Sequence, residues 1–406
     1  MLKRLFKTLS VLFFALCVGI FSMIAYGSVY LPDSVTAAHA EQDIGGIYSV
    51  NGSGQAESAG APAAGGAAYN SEIKALKIFP IKKITVDNAK RRYVAIGGEV
   101  FGIKLYTKGA IVVNVDAVTS KSGNSSPGTQ AGIRTGDVIT RIGSSPIDNS
   151  QQLTEAIERS QGEPLDLTIE RNGEKITVKL QPIMSVDGKY RAGIWVRDSS
   201  AGIGTVTFYD DDGMYFAGLG HGVCDVDTGT IMPLSGGEAV RAKVNGFYKS
   251  SAGNPGELCG VFSDVTLGSL RVNQETGVYG ELERPCGKQK LPVALESEVK
   301  LGKAQIVATV EEGKTEYYDI EITKIYPSSD STVRNMIIKV TDPELLEKTG
   351  GILRGMSGSP IIQDSMLVGA VTHVFVNNPE QGYAIFAQKM TETLESLESG
   401  EMQLAS

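Results

Sequence analysis

The first clear hydrophobic pattern is an uninterrupted apolar run from Leu9 to Tyr26, preceded by Lys3, Arg4 and Lys7. As a helix it is about 27 Å long, close to the roughly 30 Å hydrocarbon core of a bilayer. The basic flank predicts an amino end in the cytoplasm and an exported body. Residues 1–30 are therefore read as a signal or transmembrane anchor segment. Ala38-His39-Ala40 has the form of a cleavage site but lies well beyond the apolar run, which favours a retained anchor. From Gly46 to Asn70 small residues replace almost every large apolar side chain, and residues 31–75 are read as a flexible linker.

After Leu76 the pattern changes. Ala110–Val115 is a continuous apolar stretch and predicts a buried strand. Pro127–Ile133 predicts a turn and a short helix, and Arg134–Ile142 a turn and a strand. Ser150–Ser160 places Leu153, Ala156 and Ile157 on one helical face behind a Ser/Asn start signal. Leu165–Glu170 and Lys175–Leu180 alternate around Asn172-Gly173, a hairpin signal. This order resembles a PDZ domain, assigned here to residues 76–184. The resemblance rests on Val100-Phe101-Gly102-Ile103, Ala131-Gly132-Ile133 and Gly136-Asp137-Val138-Ile139. It implies that Val100, Phe101, Gly102 and Ile103 form a loop whose N–H groups hold a terminal carboxylate, with the next strand edge pairing to an extended peptide. The ligand is then a peptide or chain end, this chain's own included.

Residues 185–406 read as short strands between turn signals: Ile203–Tyr209, Met214–His221, Val261–Val272 and Tyr318–Tyr326. That spacing predicts a barrel or sandwich. The fold class is mainly β with minor α. The 406 residues suffice for two or three domains, and 48 glycines suit turn-rich β structure. A net charge of −8 argues against nucleic acid as a partner. The four cysteines form no CxxC or His/Cys cluster, so neither a metal nor another cofactor is expected. Three of them lie outside the apolar run, which allows at most one internal disulfide and is best read as buried thiols.

One segment carries chemistry: Gly355-Met356-Ser357-Gly358-Ser359-Pro360, running on to Thr372-His373-Val374. It looks like the nucleophile hairpin of chymotrypsin-like serine peptidases. Gly355 lets the backbone turn so that its N–H and that of Ser357 converge as an oxyanion hole, and Gly358 clears the face of the serine. Ser357 needs a base. His221, flanked by glycines at the end of a predicted strand and upstream of the serine, is the candidate. His373 with Thr372 and Val374 is expected to line the substrate cleft. Gly351, six residues before the serine, takes the place of a pocket-floor residue, and its lack of a carboxylate predicts no preference for Lys or Arg. For a carboxylate partner to the histidine, Asp342 competes with Asp210, Asp225, Asp227 and Asp364. Asp342-Pro343-Glu344 also reads as a plain helix N-cap, with Gly350 as the stop.

Taken together, the anchor, the PDZ-like region, Gly218-Leu219-Gly220-His221-Gly222, Thr341-Asp342-Pro343-Glu344-Leu345, Thr349-Gly350-Gly351-Ile352 and the serine motif resemble the stage IV sporulation protein B peptidases. The resemblance implies a triad of His221, Asp342 and Ser357. It also implies an exported sporulation serine endopeptidase, membrane-anchored or released into the forespore intermembrane space. Such an enzyme processes itself and cleaves a regulatory subunit of an intramembrane metalloprotease complex, which triggers late mother-cell sigma-factor activation. The competing reading is a non-catalytic PDZ signalling scaffold.

Overall fold

The computed structural model describes residues 2–31, 34–37, 41–44, 48–51, 69–76, 78–88, 91–326 and 331–400. Residues 1–92 and 93–406 form two compact units. In the first, the apolar run lies within a helix, Leu2–Tyr30. Among the described residues no helix is long and apolar enough to cross a membrane. Five strands pair in the order Ser34–Ala37, Phe79–Asn88, Tyr69–Ala75, Tyr48–Asn51, Glu41–Ile44. Much of the expected linker is therefore strand, because Tyr48, Ile73 and Ala75 supply apolar side chains that pack with Ile84. The Gly/Ala/Ser-rich residues 52–68 lie outside the described residues.

The second unit contains two six-stranded barrels. The first is made of β1 (Val100–Val115), β2 (Ile194–Tyr209), β3 (Tyr215–Gly218), β4 (Leu234–Tyr248), β5 (Glu257–Gln274) and β6 (Gly277–Leu282). Their antiparallel pairings run β1-β2-β3-β6-β5-β4 and return to β1. The second is a closed barrel of β7 (Gly302–Glu311), β8 (Lys314–Ile325), β9 (Met336–Val340), β10 (Pro360–Gln363), β11 (Met366–Phe375) and β12 (Asn378–Phe386). It closes in the order β7-β8-β9-β12-β11-β10, the same strand order as the first. Closure leaves no unpaired sheet edge within either ring. Apolar residues fill the interiors: Phe101, Leu105, Val206 and Phe216 in the first, Ile306, Ile320, Ile338 and Phe386 in the second.

The PDZ-like sheet sits between β1 and β2. The distal parts of these two strands, Ile111–Val115 and Ile194–Arg197, pair with each other, and β1 continues the sheet through Val138–Ile142, Leu165–Arg171 and Glu174–Leu180. Helix Ser150–Arg159 covers it with Leu153 and Ile157, and its first turn is capped by Asn149 Oδ1, which accepts the Gln152 N–H at 2.9 Å. Asn172 and Gly173 both have positive φ, 51° and 80°, as the hairpin signal requires. The domain is thus an insertion: the first barrel takes its opening strand from upstream of it, whereas the sequence placed the peptidase entirely after residue 184. Val100, Phe101, Gly102 and Ile103 are corrected accordingly. They lie inside β1: Phe101, Gly102 and Ile103 pair on both edges, to β2 and to β4, Val100 pairs to β2, and Phe101 is fully buried. Strands on both sides leave Phe101–Ile103 no open edge for a carboxylate or a peptide.

Candidate active site

Helix Pro343–Thr349 ends at Gly350, φ 73°, and delivers the chain to the turn that carries Ser357. Gly355 and Gly358 adopt φ of 96° and 95°, a region that side-chain-bearing residues avoid. The turn closes through Met356 N–H to Leu353 O (3.1 Å) and Ser359 N–H to Met356 O (2.9 Å). It is tied to β11 by Gly358 N–H to Val371 O (2.7 Å). The first barrel holds its other side. Thr205 N–H donates to Ser357 O (3.0 Å), Thr205 Oγ1 to Gly355 O (2.9 Å) and Thr207 Oγ1 to Gly358 O (2.8 Å). Both threonines are buried. Sequence reasoning missed them, because a buried Thr on a strand carries no signal of a partner some 150 residues away. The Gly355 and Ser357 N–H groups have no protein acceptor among the described residues, and both residues line the same cavity. They are the donors an oxyanion hole requires.

His221 comes from the other barrel. Strand β3 ends at Gly218, and Leu219 and Gly220 turn through left-handed φ values of 68° and 66°. Gly220 passes so close to the second barrel that a Cβ there would meet Thr372 Cγ2 at 3.2 Å. The imidazole Nδ1 lies 2.9 Å from Gly222 O. A carbonyl can only accept, so Nδ1 carries the proton and Nε2 keeps its lone pair. Burial lowers the His221 pKa, with the Gly222 carbonyl opposing in part, so the ring is neutral at pH 7. The loop beyond it is braced by Asn273. Its Oδ1 accepts the Val223 N–H at 2.8 Å, and its Nδ2 donates to Val223 O and Met232 O, each at 2.9 Å. Arg197 clamps the same loop through an ion pair to buried Asp225 and a second to Asp227 at 2.7 Å.

His221 and Ser357 line one cavity of about 900 Å³. In this resting arrangement Ser357 Oγ donates to Thr372 O at 2.8 Å, and no hydrogen bond joins it to His221. Catalytic hydrogen bonds commonly tighten only when substrate binds. The expected cleft residues Thr372, His373 and Val374 line the cavity; Gly351 does not. Gly351 is buried against the second barrel, where a Cβ would crowd the Pro379 carbonyl. The His373 ring stacks beside His221 at 4.9 Å between centroids. Partial burial, with His221 and Arg334 nearby, pushes His373 down to about 4.

Asp342 is not brought to His221. One carboxylate oxygen accepts the Leu345 N–H at 2.9 Å as the helix cap, the other the Asp319 N–H at 3.3 Å, and the residue is absent from the cavity lining. Of the other candidates, Asp225 reaches the cavity but is committed to Arg197 and to the N–H groups of Asp227 and Thr228. Glu275, which sequence reasoning passed over, also lines the cavity and accepts from Thr332 Oγ1 at 2.7 Å.

The SpoIVB peptidase S55 model matches residues 188–391, half of the chain, and a PDZ domain model matches 88–181. The zinc metalloprotease RasP of Oceanobacillus iheyensis is 33% identical over 86 residues, 20% of this chain and 20% of that protein. The chain thus spans only a fifth of the length of this curated relative. Among solved structures, the Rv3671c protease of M. tuberculosis in its active form is 13% identical with a TM-score of 0.30, covering 48% of this chain and 74% of that one. The PDZ domain of an SdrC-like protein from Listeria monocytogenes is 18% identical with a TM-score of 0.18, covering 22% and 87%. On the family match, the chain is a serine endopeptidase and belongs to the SpoIVB peptidase S55 family.

Proposed function

We propose that this sporulation peptidase is exported, processes itself and cleaves a regulatory subunit of an intramembrane metalloprotease complex, which triggers late mother-cell sigma-factor activation. The observation that carries the catalytic part is the meeting of Ser357, a neutral His221 and two uncommitted N–H donors in one cavity. On substrate binding, Ser357 Oγ leaves the Thr372 carbonyl and attacks the scissile carbonyl carbon. His221 Nε2 takes the hydroxyl proton, while the Gly222 carbonyl keeps Nδ1–H in place. The oxyanion forms against the Gly355 and Ser357 N–H groups. His221 then hands its proton to the leaving amine, and water cleaves the acyl-enzyme by the same route. The Thr372 carbonyl, freed of the serine, accepts an N–H from an extended substrate laid along Thr372–Val374. A carbonyl in place of a carboxylate fixes the tautomer but offers less charge to steady the imidazolium.

In this reading the amino-terminal helix tethers the enzyme on the exported side of a membrane, in the space around the forespore, until it is cut away. The PDZ domain holds a chain end, of the substrate or of the enzyme itself. The test is incubation of the purified chain, and separately of the candidate regulatory subunit, followed by sequencing of new amino termini beside a Ser357→Ala control. New termini that depend on Ser357 support the proposal. Cleavage of neither protein, from an enzyme that still acylates, overturns the substrate assignment and leaves the family chemistry standing.

A further inference from the structure

The oxyanion hole is built on the second barrel, yet its geometry is imposed by a hairpin of the first. Strands β4 and β5 run beyond their own barrel, and the connection between them lies against residues 349–354. The Leu258 N–H donates to Arg354 O at 2.9 Å, and the Arg354 N–H donates to Gly256 O at 2.8 Å. The carbonyl of residue 354 and the N–H of Gly355 belong to one planar trans peptide, so they point in opposite directions. Holding Arg354 O toward Leu258 therefore aims the Gly355 N–H at the opposite side, away from Leu258. Leu258 stands directly behind: a Cβ on Gly355 would meet Leu258 Cβ at 3.1 Å.

One buried hydroxyl fastens this hairpin. Ser250 is 6% exposed. Its N–H donates to Thr349 O at 2.7 Å, its Oγ donates to Ile352 O at 2.9 Å, and the same Oγ accepts the Gly256 N–H at 2.7 Å. It thus joins both arms of the hairpin to the chain entering the nucleophile turn. Every group it bonds to is main chain: Thr349 and Ile352 lie just ahead of the peptide that supplies the oxyanion donor, and Gly256 accepts the Arg354 N–H.

We infer that Ser250 is a positioning residue for catalysis: through Gly256, Leu258 and Arg354 it fixes the orientation of the Gly355 N–H. The inference rests on the peptidase reading of the site. Losing one oxyanion donor outright costs about 100–1,000-fold in kcat, so loosening one is expected to cost about 10–100-fold. The donor meets the oxyanion and not the ground-state carbonyl, so the loss falls on kcat with KM changed less than about twofold.

The experiment measures kcat and KM of Ser250→Ala and Ser250→Cys in the full chain, beside wild type and Ser357→Ala. Affinity for a peptide aldehyde, which forms the tetrahedral adduct, is measured in parallel with binding of the uncleaved peptide to the same variants in a Ser357→Ala background. Expected are a fall in kcat, a matching loss of aldehyde affinity and unchanged ground-state binding, with Ser250→Cys intermediate. Should Ser250→Ala yield no folded protein, the cysteine variant, whose thiol keeps the site filled, gives the same pattern at smaller amplitude. A folded variant with wild-type kcat and aldehyde affinity overturns the inference, as does a loss confined to KM. A wild-type enzyme that neither turns over nor reacts at Ser357 fails the peptidase reading instead.

Discussion

Alanine at position 358 would drive a methyl group into the backbone of the opposite barrel. An ideal Cβ there lies 2.5 Å from the Leu219 amide nitrogen and closer still to the Thr205 carbonyl oxygen. Both are main-chain atoms of the first barrel, so no side chain can swing aside. The residue also sits at φ 95°, where a Cβ adds about 1–3 kcal/mol of backbone strain. Overpacking contributes about 1–3 kcal/mol more, and the smaller entropy of the unfolded alanine chain offsets about 0.4–1 kcal/mol of this. The net expectation is destabilisation of about 1–6 kcal/mol. Gly313 is the internal control, with φ 71° in the exposed β7–β8 turn and no atom within 4 Å of its Cβ, so alanine there adds strain alone. Gly358 also links Ser357 to β11 and Thr207, and a 1 Å shift of a reacting group costs about 100-fold. Urea unfolding gives the stability difference, and the rate of fluorophosphonate labelling reports the serine. Gly358→Ala should label at least about 100-fold more slowly and unfold at lower urea than Gly313→Ala. Equal stability in the two variants with wild-type labelling of Gly358→Ala would refute the close approach of the two barrels.

Four further outcomes follow from the same geometry. Because burial lowers His221, kcat/KM should hold below the ordinary histidine value of about 6.5 and fall only at lower pH, as Nε2 takes its proton; a half-loss at pH 7 or above contradicts this. Stability should move the same way: below about pH 6.5 the unfolded histidines bind protons that His221, and His373 at about 4, refuse in the folded state, so stability declines as pH falls through that window. Asp342→Asn keeps the capping acceptor, so labelling of Ser357 should stay within about threefold of wild type, whereas a loss of about 10⁴ would place that carboxylate on His221. Arg197→Gln leaves the Asp225 carboxylate buried without its cation and should cost about 3–5 kcal/mol in urea unfolding, with wild-type stability as the contrary result.

The nucleophile turn was legible in the sequence because backbone geometry forces residue identity there: Gly355, Gly358 and Gly350 all occupy positive φ. His221 was legible by elimination among three histidines. The helix caps Asn149 and Asp342 and the Asn172-Gly173 hairpin are local, and local signals survived. What failed was long-range. Val100–Ile103 has the residues of a carboxylate loop, but an apolar strand interrupted by one glycine serves a barrel equally well, and only pairing to β2 and β4 decides between them. Gly351 was placed by its distance from Ser357 along the chain, which says nothing of the Pro379 carbonyl that walls it off. The three thiols outside the amino-terminal helix were expected buried; Cys224 is exposed and Cys259 and Cys286 are partly so, all free. Thr205, Thr207 and Ser250 bond to main chain far away in sequence, and such partners leave no pattern beside them.

The central claim is that two barrels bring His221 to Ser357 for catalysis. It is tested most directly by mass spectrometry of the full chain after reaction with a fluorophosphonate at pH 7.5. The account predicts one adduct, on the peptide containing Ser357, abolished by Ser357→Ala and slowed by several orders of magnitude in His221→Ala. An adduct on another serine, or His221→Ala labelling Ser357 as fast as wild type, would contradict it.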